Sequence, residues 1–143
     1  MAAMDDARMI DLLNRLFRIH YRSLPVYAQG TRPWAPPEQQ KALQTLAEVA
    51  ADQTRTAAQI AKAIQERRGC LEPGQFPIAF TAIHDVSAEF LLRRAADLHQ
   101  RDLAVIQECA AKLAQVPQLR PLAEETLRQA RIHGEMLVGK DEG

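Results

Sequence analysis

Four side chains able to bind a metal or a polar ligand, His20, Gln53, His99 and His133, each interrupt an apolar stripe near its centre. Three imidazoles and an amide could hold one transition metal ion, zinc or iron. Neutral imidazole suits both, and three histidines with an open fourth position is an accepted zinc arrangement. The competing reading is structural. Each histidine is then satisfied by a neighbour, for instance His99 by Asp102 one turn on or by Gln53 across the core, and the layer stays empty. A histidine on an apolar stripe is usually of this second kind, so the structural reading is preferred and the metal site is kept as the alternative.

Other candidates have simpler explanations. His133 and Glu135 are two apart and face different ways on a helix, so they are not a ligand pair. Asp5, Asp6, Glu124 and Glu125 suit the positive N-terminal ends of helices. Met4, Met9 and Met136 read as core or end filling. Cys70 and Cys109 have no metal or redox spacing and no basic neighbour in sequence to make a thiolate, so free thiols are expected. Trp34 lies in a proline-rich connection and is expected to cap one end of the core.

The elements that must position the layer follow from periodicity. Leu92, Ala96, His99, Leu103, Ile106, Ala110 and Leu113 recur at alternating spacings of four and three, one stripe on a long helix that begins between Thr81 and Ser87 and ends near Gln115. His84 and Asp85 fall near its start. A first helix over about 5–28 carries Ile10, Leu13, Phe17, His20, Leu24 and Tyr27, with a break expected at 21–24 because Pro25 lacks an N–H, and Ser23 as the new cap. Gly30, Pro33, Pro36 and Pro37 mark a turn. A second long helix over about 38–68 carries Leu43, Leu46, Ala50, Gln53, Ala57, Ile60 and Ile64, ended by Gly69; Ala50 and Ala57 should be buried beside Gln53. A last helix over about 121–138 carries Leu122, Thr126, Ala130, His133 and Leu137, ended by Gly139.

Residues 70–84 differ in kind, with a turn signal at Pro73-Gly74 and no helical period in Phe76-Pro77-Ile78-Ala79-Phe80. Fifteen extended residues at roughly 3.3 Å each reach about 50 Å, and a thirty-residue helix is about 45 Å long. This segment can therefore return along the whole bundle, pinned by Phe76, Ile78 and Phe80, leaving the second and third helices parallel.

Composition bounds the rest. The 143 residues fit one domain, 1–143, with 18 basic and 18 acidic side chains and 5% aromatics. Helix formers dominate, so an all-α chain is expected. Zero formal charge offers no field for nucleic acid. No apolar run approaches the ~20 residues that span a bilayer, and no signal peptide is evident, so the cytoplasm is the expected location.

Four helices with short outer turns and one long middle connection resemble the ferritin-like superfamily over nearly the whole chain. The resemblance implies a ferritin-like four-helix bundle. In its metal-binding members, two iron or manganese ions are held by a glutamate on the first and third helices and by Glu-x-x-His on the second and fourth. Aligned on that pattern, the single glutamates fall at His20 and His99, the second-helix pair at Gln53 and Thr56, and the fourth-helix pair at Ala130 and His133. Only His133 keeps the family residue. The resemblance thus implies a bundle lacking the di-iron carboxylates, a non-enzymatic binding or scaffold module, dimeric or otherwise homo-oligomeric. The alternative is a metal-binding protein or oxidoreductase with a histidine-rich core site.

Overall fold

Pro25 divides the first stripe as its missing N–H requires. In a computed structural model, which describes residues 4–31, 33–83 and 86–139, helix α1 (Asp6–Tyr21) ends at the break and helix α2 (Leu24–Thr31) starts after it. Ser23 caps α2, its hydroxyl accepting from the Val26 N–H at 3.3 Å. A 3₁₀ turn at Pro37–Gln39 leads into α3 (Gln40–Glu66), a second at Ile78–Ala82 precedes α4 (Ala88–Leu113), and α5 (Arg120–Val138) completes an all-α chain with no strand among the described residues. Ser87 caps α4 by accepting from the Phe90 N–H at 3.1 Å. Gly139 ends α5 in the left-handed conformation, φ +75°, which a residue without Cβ adopts at no steric cost. His84 and Asp85 lie outside the described residues.

The core fixes the sense of each helix. At one end Leu13 and Leu16 of α1 pack with Ile60 and Ile64 of α3, Ile106 and Leu113 of α4, and Ala123 of α5. At the other, Leu24 of α2 meets Leu46 and Val49 of α3, Leu91 and Ala95 of α4, and Leu137 of α5. Early residues of α3 thus cluster with early residues of α4, and late with late, so these two helices run the same way while α1 and α5 oppose them.

That arrangement requires the chain between α3 and α4 to travel back along the bundle, and α1 provides the track. Asn14 and Arg18 of α1 and Arg22 at its C-terminal cap follow one another at spacings of four along one side. Asn14 is buried; its Nδ2 donates to the Cys70 carbonyl at 3.0 Å and its Oδ1 accepts from the Glu72 N–H at 2.9 Å. Arg18 donates to the Glu72 carbonyl and Arg22 to the Pro73 carbonyl, each at 3.3 Å. The Arg22 guanidinium lies 4.8 Å from the Phe76 ring centre. Phe76 and Phe80 then pack on Tyr27, with ring centres 5.1 and 5.5 Å away.

The fold departs from expectation in three places. Ile78 does not pin the segment; it is 87% exposed, because the chain turns into a 3₁₀ helix there and aims it outward. Trp34 caps nothing, being 82% exposed, while its neighbour Ala35 is buried against Ala42 and Ala88, with Leu43 and Leu92 packed on them, so alanine and leucine side chains close that end in place of the indole. Gly69 ends α3 as expected, its N–H donating to the Ile64 carbonyl at 2.9 Å, with Arg68 before it in the left-handed conformation, φ +60°. Gly69 also serves close packing, since a Cβ there would stand 2.9 Å from side-chain atoms of Ile10 and Ile64. Finally, early α4 buries Leu91 and Ala95 while Leu92 and Ala96 are half-buried, because a strict heptad drifts by about 20° per repeat around a straight helix.

Candidate functional site: a buried histidine layer

Ala50, Gln53 and Ala57 are all buried on α3, and the small alanines allow its neighbours to come near the amide. His20, His99 and His133 are buried too, on α1, α4 and α5. The structure brings the three imidazoles together. The rings of His99 and His133 meet edge to face at 6.3 Å, and each of the two also lowers the pKa of His20 through charge repulsion.

Each imidazole commits one nitrogen to an acceptor of the protein. His20 Nδ1 donates to the Leu16 carbonyl at 2.7 Å, His99 Nε2 to the Ala130 carbonyl at 2.6 Å, and His133 Nε2 to Asp52 Oδ2 at 3.0 Å. A carbonyl or carboxylate can only accept, so these bonds fix the tautomers: the other nitrogen of each neutral ring carries a lone pair. The structural partners expected for His99, Asp102 or Gln53, are therefore replaced by the Ala130 carbonyl. Gln53 turns instead to the break between α1 and α2, where its Oε1 accepts from the Ser23 hydroxyl at 2.6 Å.

Burial keeps the layer uncharged. Desolvation lowers the His20 pKa to about 4, against the opposing pull of the Leu16 bond. It also lowers the pKa of His99, against the Ala130 bond, and of His133, against the Asp52 carboxylate. On the same face of α4, Asp102 is pushed up to about 6 by loss of hydration. Burial raises the Cys109 thiol likewise, the reverse of what a nucleophilic thiolate needs.

Among the described residues, two buried side-chain polar atoms have no hydrogen-bond partner, His133 Nδ1 and Thr126 Oγ1, both on α5. With Nε2 donating to a carboxylate, Nδ1 of His133 has the electronic character of a metal ligand backed by a carboxylate. Yet among the described residues no three His, Cys, Asp or Glu side chains come together as metal ligands. Asp52, the carboxylate bonded to the layer, is also paired with Arg55. This donor set does not fit the two-metal centre of metal-binding ferritin-like proteins, because such a centre holds about four positive charges and needs several anionic oxygens in a low-dielectric core.

Asp52 is the layer residue that periodicity overlooks. It sits one position before Gln53, off the apolar stripe, and its side chain is 28% exposed. The available signal is an acid beside a buried amide, in register with Val49 and Thr56 at helical spacing. Among the described residues no helix is long and apolar enough to cross a membrane. Compared with family models, curated proteins and solved structures, the chain matches none.

Proposed function

We propose that the chain is a ferritin-like four-helix bundle, with α1 and α2 together serving as its first helix, that lacks di-iron chemistry and acts as a non-enzymatic binding or scaffold module, assembling with copies of itself in the cytoplasm. Support for the fold reading comes from the shared sense of α3 and α4 and from the connection that returns along α1. Support for the functional reading rests on one observation: all three imidazoles are tied to acceptors of the protein, in a layer whose bonded carboxylate is already shared between His133 and Arg55. Such a layer specifies how the helices seat against one another.

A second reading is favoured by the orphaned Nδ1 of His133. Here His20, Gln53, His99 and His133 turn from their present arrangement to a single zinc or iron ion. Metal analysis of the purified chain, before and after chelator, separates the two. About one equivalent of metal, lost in both His99→Ala and His133→Ala, would establish the metalloprotein. A metal-free chain whose acid stability ignores chelator would leave the scaffold module.

A further inference from the structure

On the outer face of α4, Glu89, Arg93, Asp97 and Arg101 recur every four residues and are all exposed. They form one ridge of alternating sign. No ion pair closes among them, whereas Glu108 and Lys112, at the same spacing on the same helix, meet at 3.1 Å. Along the ridge, between the start of α4 and the end of α5, lies an open cleft of about 790 Å³ whose apolar lining is Phe90, Leu92, Ala96, Leu137 and Val138 and whose charged lining is Arg94 and the first three ridge side chains. Phe90 and Val138 are 40% and 53% exposed.

We infer that this face is where a second copy of the chain docks, α4 against antiparallel α4. The inference rests on the scaffold reading and supplies its partner. A row of charges that reads minus, plus, minus, plus is complementary to its own reverse. A two-fold axis crossing at the level of Ala95 sets Glu89 opposite Arg101 of the second copy and Arg93 opposite its Asp97, and symmetry makes each pair twice. A parallel arrangement would set like charge against like. Leu92 and Ala96 lie within one helical turn of that axis, so the apolar parts of the two clefts overlap across the interface while the outer pairs lie toward the rim, the anatomy of a stable interface. Arg94, also at the cleft, falls opposite Ala96 of the second copy and meets no cation.

The test is a charge swap read by sedimentation equilibrium on the full chain, from low to high micromolar concentration. Arg93→Glu faces Asp97 of the second copy with like charge, and Asp97→Arg faces its Arg93. Each variant should raise the dimer dissociation constant about tenfold or more. The double variant Arg93→Glu with Asp97→Arg should associate like wild type, and an equimolar mixture of the two single variants should form a heterodimer. Circular dichroism checks that every variant is folded. A wild-type chain that stays monomeric at high micromolar concentration and low salt overturns the inference, as does a dimer indifferent to Arg93→Glu. The readout is independent of metal content, so either result stands whichever reading of the histidine layer holds.

Discussion

His133 Nε2 donates to Asp52 Oδ2 at 3.0 Å, across 81 positions of sequence, and the histidine is buried while the aspartate remains 28% exposed. The bond therefore joins the dry interior of α5 to the wet edge of α3, and among the described residues Asp52 is the hydrogen-bond partner that holds that ring in its tautomer. Asp52→Ala should leave the buried N–H unsatisfied and cost about 1–3 kcal/mol, the desolvation penalty of such a group. Urea unfolding at neutral pH measures it. A change within error would show that water reaches His133 from the α3 side.

The histidines should make the chain sensitive to acid. Their folded pKa values are depressed, so the unfolded chain takes up protons first, and the stability they permit is fully present above about 6.5 and declines as pH falls. For His20 the window runs from 6.5 down to about 4, worth on the order of 3 kcal/mol from that residue. Denaturation midpoints measured from pH 8 to pH 4 should fall, and His20→Phe should flatten the slope if the larger ring is accommodated. A midpoint flat across this range in wild type would mean that the layer is hydrated.

Asp102 works in the opposite sense. Its folded pKa is raised from 3.8 to about 6 by burial, so the folded chain holds the proton more tightly, and the carboxylate costs stability as pH rises through that interval. Asp102→Asn should raise the melting temperature at pH 7–8, with the gain vanishing near pH 4. Loss of stability at neutral pH would instead show that the carboxylate has a partner.

Two glycines make a matched pair. A methyl at Gly69 would stand 2.9 Å from Ile10 and Ile64, whereas one at Gly134 would stand 3.5 Å from His99 Cδ2, an ordinary contact. Gly69→Ala should cost about 1–3 kcal/mol through overpacking. Gly134→Ala, inside α5, should stabilise by about 0.4–1 kcal/mol by restricting the unfolded chain. Equal effects in thermal melts of the two variants would contradict this account of close packing at Gly69.

What the sequence made legible follows from where periodic burial decides the structure. The stripe of α3 lies inside as read, with only Leu43 half-buried, and the break at Pro25 with Ser23 as cap follows from one missing donor. The three histidines and Gln53 are inside for the same reason. Their partners were not legible, since Ala130 offers a backbone carbonyl and Asp52 lies off the stripe; neither leaves a mark in hydrophobic spacing. Asn14 was missed likewise: a polar residue next to Leu13 looks solvent-facing until residues 70–72 are laid over it. Trp34 shows the converse, where area alone suggests burial but that end of the core is filled by Ala35, Ala42 and Ala88 with Leu43 and Leu92 packed against them.

The hydrogen bonds from Asn14 to residues 70 and 72 have a consequence for the order of folding. They close loops of 56 and 58 positions, whereas α4 and α5 are neighbours across the turn at 114–119 and pack against each other extensively. Loop-closure entropy grows with the logarithm of length, so a roughly tenfold longer loop costs about 2 kcal/mol more. The α4–α5 hairpin can therefore nucleate alone, while seating the strap across α1 is a late event that local contacts do not assist. In native-state hydrogen exchange the Glu72 amide, held by a single side-chain oxygen, should open well before the amides of α4 and α5. Asn14→Ala should then accelerate unfolding while leaving the folding rate nearly unchanged, since its contacts are absent at the barrier.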